Sequence, residues 1–268
     1  MAGGLLALTG FAYGVAAFWA VAAFYDLRRQ QWAWWSAGVG WLAQTGWLAW
    51  SAYTLGGAAW FSLDRWLGLV DWISVGAFLG VSRQRGWETA LGFLLPVIFA
   101  LWWVGILLSP VQSRPDVLGA LLWIHVGLAA LAYVALLLSA LVATMYTEKE
   151  RELRRRHVRL FYYRLPDLEA MDRLSARLVA VGVLLLGVAI VTGALWAKVV
   201  AGRYWNWSPK EVWTAASWAT YAAYLVARWR WGWRGHASAV WAMAAFLLVV
   251  VNLFVINAVF PGFHAVTY

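Results

Sequence analysis

Residues 118–146 read LGALLWIHVGLAALAYVALLLSALVATMY, without one Asp, Glu, Lys or Arg. A helix crosses a bilayer's hydrocarbon core with about 20 mostly apolar residues, so this stretch alone is long enough to span it. Working outward, comparable runs occupy Leu5–Tyr25, Trp32–Tyr53, Leu67–Val81, Glu88–Leu108, Leu174–Val200, Val212–Ala227 and Ala237–Phe260. The third is the weakest, being short and interrupted by Asp71. Eight spans consume roughly 160 positions, which matches a chain of 268 residues that is 64% hydrophobic. Charged residues make up 12%, against about 25% in ordinary soluble domains. A soluble single core, a disordered chain and a collagen-like rod are thereby excluded. The expectation is an all-α polytopic membrane protein of about eight transmembrane helices. The first run has no basic leader and reads as a retained span rather than a cleaved signal. The chain divides into a four-helix membrane region, 1–112, and a four-helix core, 113–268, carrying an external Trp-rich loop.

Orientation follows from the basic residues in the connections, which collect on the cytoplasmic side. With the N-terminus outside, the inner side holds Arg28, Arg29, Arg83, Arg85, Lys149, Arg151, Arg154, Arg155, Arg156, Arg159, Arg164, Arg173, Arg177, Arg228, Arg230 and Arg234. Arg65, Arg114, Lys198, Arg203 and Lys210 remain outside. That split predicts an N-out, C-out chain. It also accounts for the net charge of +9 by topology and by contact with membrane lipids, with no nucleic acid as partner. Between Glu148 and Arg173 basic and acidic residues alternate, which predicts a cytoplasmic extension of the fifth helix through i,i+4 ion pairs.

The same topology sorts the histidines. His157 and His236 fall inside among arginines and read as solvated or headgroup residues. His125, about two turns into the fifth helix, and His264, just past the eighth, fall outside. So does the segment 202–213, GRYWNWSPKEVW. A shelf of Trp and Tyr rings can hold a large planar ligand, two imidazoles can bind its metal from opposite sides as they do haem iron, and Lys210 and Arg203 can meet carboxylates. Pro209 after Ser208 starts a helix whose N-terminus favours an anion. Each feature also has a plain reading, as polar anchor or interfacial belt; their coincidence on one face points to non-covalent haem b. The 23 Trp exceed what two belts need, and the absence of cysteine excludes a disulfide, a thiolate metal site or a dithiol relay.

GRYWNWSPKEVW resembles the tryptophan-rich signature of haem-handling proteins in its W-G-x-Y-W-x-W-D-P-K-E-x-W form. That form is similar to the CcsA/ResC family of cytochrome c biogenesis rather than to CcmC, whose signature lacks P-K-E. WIHVGL around His125, RLSARLVAVG, TGALWA and NLFVINAVFPGFH from Asn252 to His264 fit the same family, so the likeness covers about Leu118 to Tyr268. It implies that His125 and His264 are the axial ligands of an external haem, with Gly202, Tyr204, Trp205, Trp207, Pro209, Lys210, Glu211 and Trp213 lining or supporting the site. Glu211 has a rival reading as a structural acid that pairs with Lys210 or caps the seventh helix. The chain departs from the pattern at Ala201 and Ser208, where the signature has Trp and Asp, and lacks the inner histidines, with Val226 and Gln44 nearest those places.

The resemblance implies a multi-pass protein of the plasma membrane whose active face is extracytoplasmic. It would present haem for ligation to the C-x-x-C-H segment of apocytochrome c, together with a CcsB/ResB-type membrane partner. A HemX-like membrane haem-binding or regulatory protein without ligation activity is the alternative, and a transporter or electron-transfer subunit a third. Asp71, the one acid well within a span, is a functional candidate or a side chain buried against a neighbouring helix.

Overall fold

A computed structural model describes residues 2–56, 62–83, 87–108, 119–155 and 165–256; His157 and His264 lie outside the described residues. Eight α-helices follow in order: α1 Ala2–Ala22, α2 Gln30–Leu55, α3 Leu63–Val81, α4 Leu91–Leu107, α5 Ala120–Arg155, α6 Leu168–Ala201, α7 Pro209–Trp231 and α8 His236–Val251. Among the described residues there is no strand. The protein is an all-α polytopic membrane protein. Four helices, α1, α5, α6 and α8 with its continuation to Val255, are long and apolar enough by themselves to cross a membrane. Helix α4 is apolar but only 17 residues long, preceded by a 3₁₀ turn at Glu88–Ala90. Helices α2, α3 and α7 mix Trp, Gly, Ser and Thr into their apolar runs.

The chain forms two compact units, Met1–Gln112 with Glu148–Asp167, and Ser113–Thr147 with Leu168–Tyr268. In the first, α1 packs on α2 and α4, and α3 on α2 and α4. Lipid is as apolar as leucine, so such helices associate through close packing of small residues and interhelical hydrogen bonds. The buried face of α1 accordingly runs Ala12, Ala16, Ala20, and that of α2 runs Ala33, Ala37, Gly40. Phe11, Phe18, Trp35 and Leu42 point outward. Across α2 and α3, Trp41 Nε1 donates to Trp72 O (2.9 Å) and Trp34 Nε1 to Leu79 O (3.2 Å). The Trp41 and Trp72 rings stack at 5.2 Å and 9°.

In the second unit the same device recurs. Trp218 Nε1 of α7 donates to Val183 O of α6 (3.0 Å), and Trp213 Nε1 to Leu248 O of α8 (2.8 Å). Helix α6 meets α5 along small residues: Ser175 pairs with Ser139 (2.9 Å between hydroxyls). A Cβ at Gly182 would come within 2.6 Å of Leu136. The charged extension of α5, which belongs to the first unit, is helical, with Arg154 on Glu150 (i,i+4) and Arg151 on Glu148 (i,i+3). Lys149 at its base is buried and donates to the Leu165 and Pro166 carbonyls.

Asp172, before the apolar run of α6, accepts a two-pronged contact from Arg228 at the end of α7 (3.0 and 2.6 Å) and an N–H from Gly235 at the start of α8 (3.0 Å). Burial pushes the Asp172 carboxyl up, but the Arg228 hydrogen bonds, the Gly235 N–H and the charges of Arg228 and Arg234 outweigh it and hold the carboxyl below its ordinary range. A carboxyl depressed in the fold stabilises it fully above the unfolded value, and that stability is lost as pH falls through the folded value. Asp172→Asn is therefore expected to lower stability at neutral pH by roughly 2–4 kcal/mol, because it strands a part-buried guanidinium. Thermal unfolding followed by tryptophan fluorescence should show that the difference between variant and wild type shrinks below the ordinary carboxylate range.

Candidate functional site

The end of the second unit where α6 closes and α7 begins holds an open-sided cleft of about 150 Å³. His125 of α5, Gly193 and Trp196 of α6, Tyr204, Trp205 and Asn206 of the loop, and Lys210, Glu211 and Thr214 of α7 line it. The lining is mostly apolar with a few polar groups, the usual make-up of a small-molecule site.

His125 is held by one bond. Its Nδ1 lies 2.7 Å from the Ala189 carbonyl oxygen of α6. A carbonyl can only accept, so Nδ1 carries the proton and the Nε2 lone pair is left free. A backbone carbonyl on one imidazole nitrogen with the other left basic is the arrangement that orients metal-binding histidines. The ring is seated against the α6 backbone: a Cβ at Gly193 would fall 2.8 Å from both Cε1 and Nδ1. Only glycine admits the imidazole at that depth.

The loop between α6 and α7 is built around its acid. Helix α6 ends at Gly202, whose φ of +71° suits glycine and whose N–H donates to Lys198 O. The Lys198 ammonium donates to Gly202 O (2.8 Å) and sits 5.3 Å from the Tyr204 ring centre. Ser208 caps α7, and Glu211 returns the bond in a capping box, with Pro209 in the first turn. Glu211 Oε2 accepts from the backbone N–H of Asn206 (2.9 Å) and of Ser208 (3.1 Å). The structural reading of Glu211 is thus correct, although the residue also borders the cleft. Ser208, where the resembling signature has Asp, caps the helix through its hydroxyl. Trp207, between these anchors, has φ +56°, the one described non-glycine residue in the left-handed region. That conformation costs about 1–2 kcal/mol, and it leaves the ring 79% exposed, edge-on to Trp205 at 6.3 Å.

The structure therefore brings together His125, Tyr204, Trp205, Lys210 and Glu211. It does not bring Gly202, Arg203, Trp207, Pro209 or Trp213 into the lining: Gly202 and Pro209 shape helix ends, Arg203 is exposed, and Trp213 holds α8. His264 is not among the described residues. The sequence reading missed Trp196, Asn206 and Thr214. Trp196 was legible in principle, one turn beyond Gly193 on the stripe of α6 that meets α5. Thr214 was not, since its place depends on α8: buried Asn252 donates to Thr214 Oγ1 (2.9 Å), where α8 gives way to a π-helical turn at Asn252–Ile256. His236, at the exposed start of α8, borders a separate apolar groove with Trp233 and Trp241.

Comparison with known proteins bears on the same region. The sequence profile described as "Cytochrome C assembly protein" matches residues 89–264. The cytochrome c biogenesis protein CcsA of Prochlorococcus marinus (strain MIT 9303) is 31% identical over 176 residues, 56% of this chain and 55% of the relative. CcsA of Parasynechococcus marenigrum (strain WH8102) is 33% identical over 172 residues, 56% of each chain. CcsA of Prochlorococcus marinus (strain NATL1A) is 39% identical over 99 residues, 37% of this chain and 31% of the relative. The chain spans about half the length of the first two of these curated relatives.

Glu211→Ala should leave the helices intact and loosen the loop. Two buried-side acceptor bonds to N–H groups vanish, at about 1 kcal/mol or more each. Hydrogen exchange at the Asn206 and Ser208 amides is expected to rise at least tenfold, with the α1–α4 amides unchanged.

Proposed function

Because this chain belongs to the cytochrome c assembly protein family, we propose that it holds haem b at the extracytoplasmic face of the plasma membrane and presents it for covalent attachment to apocytochrome c. The single observation that carries the reading is His125, with Nδ1 committed to Ala189 O and Nε2 basic at a cleft walled by Trp196, Tyr204 and Trp205. These residues fit the group: the His125 imidazole would hold the iron, the aromatic walls would hold the porphyrin and Lys210 would meet a propionate. His264 would be the second iron ligand in this reading, on the strength of the FPGFH segment that ends at it.

When bound, haem supplies the iron and the vinyl groups that join to the cysteines of a C-x-x-C-H segment. The chain's own part is positional. With no cysteine it has no thiol with which to reduce an acceptor disulfide; it orients by His125, screens by its tryptophans and leaves one edge open to the acceptor. Holding two reactants in register supplies much of such a rate. A CcsB/ResB-type partner completes the assembly. The basic residues favour the orientation, with Arg29, Arg156 and Arg230 cytoplasmic, which reporter fusions at these points test directly.

Purified protein supplied with haem should give a six-coordinate, bis-imidazole type spectrum. His125→Ala and His264→Ala should each shift it and lower retention, and added imidazole should restore both in part by refilling the vacant position. Trp205→Ala should lower haem occupancy with no imidazole rescue, because it removes a wall of the cleft rather than an iron ligand. Normal haem content and an unchanged spectrum in both histidine variants would sink the assignment.

A further inference from the structure

The first unit contains a polar group that the haem reading does not use. Asp71 of α3 is fully buried, 0% exposed, on the face of α3 that carries Leu67, Gly68, Ser74 and Val75. Neither carboxyl oxygen has a hydrogen-bond partner. It is near enough to Tyr13 of α1 for the two to interact electrostatically. Tyr13 donates to Gln44 Oε1 of α2, and Gln44 Nε2 donates to Gly68 O (2.8 Å), one turn before Asp71. Trp102 of α4, whose ring lies 6.4 Å from that of Tyr13, has a buried N–H likewise without a partner.

Among the described residues of α1–α4 no cation faces this carboxyl. Helices α1, α2 and α4 carry no Lys, Arg or His; Tyr13 is the one titratable side chain of α1, Tyr53 of α2 is exposed, and α4 has none. On α3 itself Arg65 is engaged by Ser62 and Asp64. An ionised carboxylate without counter-charge or hydrogen bonds in a membrane interior is among the costliest states a side chain can occupy. A neutral acid tied into the structure would be donating its O–H. Asp71 does neither, so its proton is uncommitted.

We propose that Asp71 is a proton-binding site inside the first unit, carrying an exchangeable carboxylic-acid proton where α3 packs on α2 and α4. The ligand is the proton alone. Loading forms the O–H bond of the acid, and unloading returns the proton to water and leaves a carboxylate that only an accompanying rearrangement of α1–α4 can tolerate. The site is independent of the haem reading and stands or falls without it.

The test is infrared spectroscopy of the full chain in lipid nanodiscs at neutral pH. Wild type should show the C=O stretch of a protonated carboxylic acid, absent in Asp71→Asn, and the band should move to lower frequency after transfer to D₂O. Carboxyl-¹³C aspartate in the wild type assigns the band to aspartate without any variant, so a poorly folding Asp71→Asn leaves the test intact. No such band, a band that survives in Asp71→Asn, or one that stays put after prolonged D₂O exposure would each overturn the proposal.

Discussion

The interaction on which the rest depends is the indole N–H donated to a backbone carbonyl of the adjacent helix. Water drives helices together in soluble proteins, but in lipid the gain from burying an apolar face is small. Each helical carbonyl already accepts one bond and has a second lone pair to offer. A tryptophan reaches it with a donor while its ring fills the space between helices, as Trp41 does toward Trp72 and Trp213 toward Leu248. The bond is directional, so it fixes rotation and axial register together. Trp34, Trp41, Trp213 and Trp218 are clasps of this kind within the bundle, a use of tryptophan that no interfacial belt requires.

The clasps also set the cleft. Trp213 to Leu248 and Thr214 to Asn252 are successive rungs on the α7–α8 contact, and the second reaches the cleft wall. Trp218 on Val183 holds the other side of α7 to α6. Helix α7 is thus pinned to both neighbours, and its N-terminal turn, with Ser208 and Glu211, can present a strained Trp207 without yielding. Strain of this kind persists only where the surroundings over-determine it.

How much of this was legible in the sequence divides along physical lines. Eight helices were readable because apolar length is a local property, and the α5 extension because ion pairs one turn apart are local too. His125, Tyr204, Trp205 and Lys210 were readable because topology places them on one face. The structural role of Glu211 was half readable: S-P-K-E spells a capping box, but only the geometry shows the same carboxylate gathering Asn206. Trp213 is assigned to the site by the resemblance; its N–H is spent on α8, which no pattern in the segment reveals. Thr214, Trp196 and the seating of His125 on Gly193 depend on which helices pack together, and a single sequence does not carry that.

Asp71 and His125 illustrate opposite uses of a polar group in an apolar bundle. His125 is aimed by one carbonyl, which accepts the Nδ1–H, so the helix that supports it leaves the other ring nitrogen free at an open cleft. Asp71 is surrounded by helices that offer it nothing, although Gln44 and Tyr13 nearby satisfy each other. A bundle selected only for stability would have joined these groups into one closed network or replaced the acid with an apolar residue, since a half-satisfied network is worse than none. Retaining an acid there makes sense if its proton is the object. The two sites share a logic, in which the surrounding polar atoms are paired off so that one chosen group is left with its chemistry unspent.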